Sequence, residues 1–120
     1  MVKDIAFTAY PAKDVAALRD FYARTLGFTF TAPFDEGGVL KYDEAQVGSA
    51  WFAVMTTEWI GETRAANIAF EVDDLEKALA DLRGTGVKTG EVHETPVCKL
   101  GSFTDPEGNT VTLHQTTVPH

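Results

Sequence analysis

The chain has one cysteine, Cys98, so no intrachain disulfide can staple it. That usage fits a reducing cytoplasm. Its 10 Lys and Arg are outnumbered by 18 Asp and Glu, and no run of five or six basic residues occurs. The resulting net charge of -8 excludes nucleic acid as an expected partner, because phosphate neutralisation needs clustered cations. No apolar stretch follows Met1-Val2-Lys3-Asp4 in the way a signal peptide requires. The longest apolar run, Ala50 to Met55, falls far short of the ~18 residues of a membrane span, so no membrane partner is expected. A phosphate-binding glycine loop, a zinc spacing and a serine nucleophile elbow are all missing. The three histidines, His93, His114 and His120, do not have the spacing of a metal site.

What is present suffices for a core. The 120 residues are 44% hydrophobic and 11% aromatic, the size and composition of one domain. The acidic residues are scattered, which serves solubility and says little about a ligand's charge.

Asp4 to Tyr10 reads as a strand ended by Pro11. Asp14 can start a helix, whose apolar face is Val15, Leu18, Tyr22 and Leu26, and Gly27 can end it. Phe28 to Phe34 alternates like a half-buried strand, followed by a turn at Asp35-Glu36-Gly37-Gly38. Val39 to Tyr42 is a short strand, Asp43 to Gln46 a turn and Val47 to Thr57 a further strand. Residues 58–65 read as a linker between modules of about 3–57 and 66–116. In the second module Ala66 to Val72 is a strand, and Asp73 caps a helix with Glu76 as its capping-box partner. Leu75, Ala78, Leu79 and Leu82 form that helix's apolar face, with Gly84 or Gly86 as its stop. Val87 to Val92, Val97 to Thr104 and Asn109 to Gln115 read as strands, and Asp105-Pro106-Glu107-Gly108 as a turn. Along the last strand Val111 and Leu113 share one face, and Thr110, Thr112 and His114 the other. The predicted fold class is α+β, two βαβββ modules, with helix starts at Asp14 and Asp74 one module apart.

Three stretches carry a family resemblance. They are Asp14-Val15 with Phe21-Tyr22 and Leu26-Gly27-Phe28, then Val72-Asp73-Asp74-Leu75, then Asp105-Pro106-Glu107-Gly108-Asn109. In this order and spacing the chain resembles the vicinal oxygen chelate superfamily, which holds glyoxalase I, bleomycin-resistance proteins and extradiol dioxygenases. The resemblance implies two modules whose curved sheets form a partly open barrel around a cavity, and a homodimer. It also implies metal ligands on the first and last strands of modules. Those positions fall on Phe7, on Ala53 or Val54, on Asn67 and on Thr112. None is a His, Asp, Glu or Cys, so no metal and no other cofactor is expected at the usual place. A divalent metal would require a non-standard ligand set. Antibiotic-binding members of the family use a similar cavity without metal.

Strand alternation extends the cavity face from Thr112 to His114, from Asn67 to Ala69 and Glu71, and from Phe7 to Ala9. His114 and Glu71 are the candidate catalytic residues, an acid–base or anchoring pair on neighbouring strands, or else a structural histidine and an edge carboxylate. Phe7, Tyr10, Trp51, Asn67, Cys98 and Thr112 are the candidate ligand contacts. For Tyr10 the alternatives are a hydroxyl at a cavity mouth and packing under the first helix. Cys98 is a cavity wall or a small buried side chain. Trp59 covers a pocket or joins an interface. The leading expectation is metal-free binding of a small organic molecule in an apolar cavity. One alternative is a glyoxalase-like lyase or isomerase that uses His114 and Glu71 or a non-standard metal site. The other is an interaction module whose cavity is vestigial.

Overall fold

The computed structural model describes residues 1, 3, 5–61 and 68–118. The chain divides into two compact units, Met1–Ala65 and Ala66–His120. The first unit contains β1 (Thr8–Ala12), α1 (Val15–Leu26), β2 (Phe34–Glu36), β3 (Val39–Val47), β4 (Ala50–Thr56) and the single-turn α2 (Thr57–Ile60). Its sheet has the order β1-β4-β3-β2, with β1 parallel to β4 and the other pairs antiparallel. The second unit contains β5 (Ala69–Glu71), α3 (Leu75–Gly84), β6 (His93–Glu94), β7 (Cys98–Thr104) and β8 (Thr110–Thr116). Its sheet has the order β5-β8-β7-β6, with β5 parallel to β8. The repeated βαβββ order is the α+β fold that the duplicated pattern predicts. Each sheet ends in two edge strands, so neither closes on itself.

The helices start and stop where side chains can satisfy their free amides and carbonyls. The Asp14 carboxylate accepts from the Ala17 amide at 3.0 Å, and Gly27, at φ 72°, turns the chain out of α1. Val15, Leu18, Phe21 and Tyr22 form the buried face of α1. Asp74, rather than Asp73, caps α3, accepting from the Lys77 amide at 3.1 Å. Asp74 lies three residues before that amide, the reach a capping side chain has, and Asp73 lies four before it. Glu76 does not close a capping box but faces Lys99 at 3.4 Å. Leu75, Leu79 and Leu82 are buried, and α3 packs on β7 and β8. Gly101 on β7 permits this approach, because a Cβ there would sit 2.7 Å from Cδ1 of Leu79.

Several sequence expectations shift. The first strand begins at Thr8 and runs through Pro11 to Ala12. As the edge strand it has one side without ladder bonds, where proline's missing N–H is tolerated. Phe28 to Ala32 forms only an isolated bridge, Phe30 to Ala45, because Asp43 captures the Ala32 amide and Pro33 has none to offer. Asp35 and Glu36 belong to β2, and the hairpin turn is Gly37-Gly38, both at positive φ. Asp43 to Gln46 is the middle of one long strand, not a turn, and the hairpin follows at Gly48-Ser49. The expected linker opens with α2, and its remainder from residue 62 lies outside the described residues. Val87 to Val92 is not a strand: it meets β7 in one isolated bridge, Thr89–Phe103, flanked by the Gly90–Ser102 and Lys88–Thr104 backbone bonds, and the strand that pairs with β7 on this side is His93–Glu94.

Candidate functional site

The side of the second sheet away from α3 gathers most of the polar candidates. Cross-strand partners share a face, and the register sets Glu71 of β5 beside His114 of β8, His114 opposite Leu100 of β7, and Leu100 opposite His93 of β6. The next row is Ala69, Thr112 and Ser102. Alternation sends Val111, Leu113 and Phe103 to the helix side, where all three are buried. A recess of about 240 Å³ lies on the site face, lined by Glu91, His93, Leu100, Gly101, Ser102 and Thr112. Gly90 lies against its edge, donating its amide to the Ser102 carbonyl at 2.8 Å.

Glu71 is held on both oxygens. One accepts from the Thr116 amide at 2.8 Å, and the other meets Nδ1 of His114 at 2.5 Å. The Thr116 amide, and after it His114, pull the carboxyl from its ordinary 4.5 down to about 2. An ionised carboxylate only accepts hydrogen bonds, so Nδ1 carries a proton, and the neutral form of the ring presents its lone pair on Nε2. Glu71 therefore has no proton to donate near neutral pH. Of the acid–base or anchoring pair expected from sequence, Glu71 is the group that orients the His114 ring.

The sign of the pH effect follows. A depressed carboxylate pKa contributes stability that is present above the unfolded value of 4.5 and is lost as pH falls towards 2. Glu71 is 57% exposed, so water screens the pair and the effect on global unfolding is small. Proton-detected titration of the His114 ring should show its orientation persisting from neutral pH to below 4 and breaking near 2. Loss of the pair already at pH 4.5 would contradict the two-point hold on Glu71.

The other candidates separate. Phe7 and Trp51 line a recess of about 360 Å³ in the first unit, together with Ile5, Thr8, Ser49 and Ala50. Phe7 precedes β1, is 43% exposed and sets its ring edge-on to Tyr42 at 6.1 Å. Tyr42 donates to Glu44 at 3.1 Å; burial, reinforced by that bond, pushes its hydroxyl up to about 12, so it stays neutral. Tyr10 is 2% exposed and packs against Tyr22 and Phe52, so it is a core residue under α1 and not at a cavity mouth. Cys98 shares the face of Leu100 but is buried, its sulfur 3.2 Å from the Thr95 hydroxyl. Trp59 lies on α2 against Phe34, ring centroids 5.8 Å apart. Asn67 and His120 fall outside the described residues.

His93, Glu91 and Ser102 were not singled out as site residues in the sequence. A two-residue strand is too short for alternation to reveal, and Ser102 has no partner in sequence that marks it.

The positions where the resemblance puts metal ligands hold no anionic or imidazole side chain in the sequence. The first-strand position is the Phe7 ring and the last-strand position the Thr112 hydroxyl. Register settles the fourth-strand ambiguity: Val54 shares the helix side with Tyr10, and Ala53 faces the other way with Ala9. Among the described residues no three His, Cys, Asp or Glu side chains are grouped to hold a cation. Among them, too, no helix is long and apolar enough to cross a membrane.

Known structures share this architecture. The antibiotic-binding protein TnmS3 from Streptomyces sp. CB03234 is 22% identical, with a TM-score of 0.78 over 97% of this chain and 98% of that one. FosX, a genomically encoded fosfomycin resistance protein from Listeria monocytogenes, is 14% identical, with a TM-score of 0.76 over 98% and 97%. Lactoylglutathione lyase from Agrobacterium tumefaciens is 17% identical, with a TM-score of 0.74 over 95% and 94%. At these identities the likeness is one of fold. No curated protein matches the chain. Residues 4–113 match the pattern of a single family, and with the two βαβββ units in place the chain belongs to the Glyoxalase/Bleomycin resistance protein/Dioxygenase superfamily.

Proposed function

We propose that the protein binds a small organic molecule without a metal. The observation that carries this reading is the helix-free face of the second sheet, with the apolar Leu100, the hydroxyls of Ser102 and Thr112, and an imidazole held in one orientation by Glu71. An apolar surface with a few convergent polar groups is the usual form of a small-molecule site. Phe7 and Trp51 supply aromatic faces in the first unit, and they line a recess rather than fill it, which tells against a vestigial cavity. Antibiotic binding by the structurally similar TnmS3 supports the same class of ligand. We place the protein in the cytoplasm as a homodimer; light scattering tests the latter.

The Glu71–His114 hydrogen bond favours a second reading, a lyase or isomerase in which His114 removes a proton from bound substrate. Turnover lost in His114→Ala, with binding retained, would select it.

The test is a thermal-shift screen of planar aromatic compounds, joined to elemental analysis after incubation with Zn, Ni, Mn and Fe. A ligand at a hundred times its Kd stabilises by about 2.7 kcal/mol, a shift of several degrees. His114→Ala should reduce that shift, and no metal should be retained. Stoichiometric metal would overturn the metal-free reading. No shift with any compound would overturn the binding reading.

A further inference from the structure

The orientation of His114 limits what it can recognise. Its Nδ1 proton is committed to Glu71, so Nε2 is the nitrogen left to meet a ligand, and in the neutral ring it does so as an acceptor. We propose that the face of the second unit away from α3 takes a planar ligand bearing an acidic hydroxyl, a phenol or an enol, that His114 accepts through Nε2, and that His93 contacts the ligand's far end across Leu100. The proposal rests on the binding reading above and names the ligand class.

The register fixes the layout. Leu100 stands directly between His114 and His93 in one row across the sheet, so a flat ligand over Leu100 has an imidazole at each end. Neighbouring strands are about 4.8 Å apart, which puts the two histidine backbones roughly 10 Å from each other, about the length of a substituted aromatic ring. The recess beside Leu100 continues over Ser102 and Thr112, whose hydroxyls suit a polar substituent.

Charge narrows the class. A carboxylic acid is ionised at neutral pH, offers no donor to Nε2, and adds a negative charge near Glu71 and Glu91. A cationic amine has a donor but must shed its hydration over Leu100, while Glu71 is already engaged by Thr116 and His114. A phenol or enol brings a strong donor and a flat apolar body. Its O–H proton shifts towards Nε2, the oxygen keeps the electron pair, and Glu71 offsets the charge that forms on the imidazole. Among the described residues, the other titratable groups on this face are His93 with Glu91 at the far side and the buried Cys98 on β7.

The test uses 4-nitrophenol, whose anion absorbs in the visible, and 4-nitroanisole, the same skeleton without the proton. The full chain should bind 4-nitrophenol at least roughly tenfold more tightly, the effect of one charge-assisted hydrogen bond. The bound form should show the anion band at a pH where free 4-nitrophenol is mostly neutral. His114→Phe should remove both the preference and the band, and His93→Phe should weaken binding of both probes. Glu71→Gln should shrink the band while 4-nitroanisole binding persists, because a neutral amide no longer fixes the proton on Nδ1. Circular dichroism confirms that each variant is folded. Equal binding of the two probes, or tighter binding of 4-nitrobenzylamine, would overturn the hydroxyl assignment and leave small-molecule binding standing. Failure of every probe to bind would remove both.

Discussion

Phe52→Ala is expected to lower the unfolding free energy by about 3–5 kcal/mol, the cost of truncating a buried phenylalanine in a core that cannot collapse around the hole. Phe52 is 2% exposed at the centre of β4. Its ring meets, among others, Tyr22 at 4.9 Å, Phe28 at 5.6 Å, Tyr10 at 5.7 Å and Phe30 at 6.4 Å between centroids. All four contacts are edge-on or tilted and come from elements distant in sequence, so the ring joins β1, α1 and the segment after α1 to one strand. Rigid neighbours relax little, and the cavity term stays near its full value. Urea denaturation measures the change. Phe52→Leu keeps much of the apolar volume and should cost about half as much or less. A loss for Phe52→Ala below about 1.5 kcal/mol would mean that the cluster refills the space and does not organise this unit.

The sequence already pointed to this cluster through part of its members. Tyr22 lies on the apolar stripe of α1, whose Asp14 cap and Gly27 stop are observed; Leu26 at the end of the stripe is half-buried, and Phe21 joins the buried face. Helical periodicity survives because Val15, Leu18 and Tyr22 recur at helical spacing on the buried face of α1. Strands gave less. β2 and β5 have three residues each and β6 has two, too few for alternation to be seen. The segment 28–32 alternates apolar residues and threonines, yet its amides bond to a side chain and to the Glu44 carbonyl instead of forming a full ladder. Periodicity reports which side chains are buried, not where backbone hydrogen bonds go.

The site shows the same division. Thr112 and His114 sharing a face, and Glu71 sitting beside His114, follow from alternation and from first and last strands being neighbours. Which nitrogen of His114 carries the proton does not, since it depends on a tertiary bond from the Thr116 amide to Glu71. Tyr10 reads as a mouth or a core residue until the register places it with Val54 on the helix side. His93 becomes visible only once β6 is seen to pair with β7 at Leu100.

Asp43 is the clearest case of a residue whose type misleads and whose position then decides stability. Asp43 opens the run Asp43-Glu44-Ala45-Gln46, read from sequence as a turn, but it is 2% exposed in the middle of β3. One carboxylate oxygen accepts from both the Ala32 and Glu44 amides at 2.9 Å, and the other faces the Arg19 guanidinium at 3.6 Å. It thus ties the irregular segment before β2, the strand β3 and the helix α1 together. Asp43→Ala would leave two amides without their acceptor and Arg19 without its nearest buried anion. At about 1–3 kcal/mol for each buried group left unsatisfied, a loss of about 2–4 kcal/mol is expected, the part-exposed Arg19 adding little. Asp43→Asn keeps an oxygen for the two amides and removes only the charge, so it should cost about 1 kcal/mol. Chemical denaturation of the two variants side by side separates the cases, and hydrogen exchange should show the Ala32 and Glu44 amides exposed in Asp43→Ala alone. If both variants lost the same stability, the ion pair with Arg19, and not the capture of the two amides, would be what holds this segment.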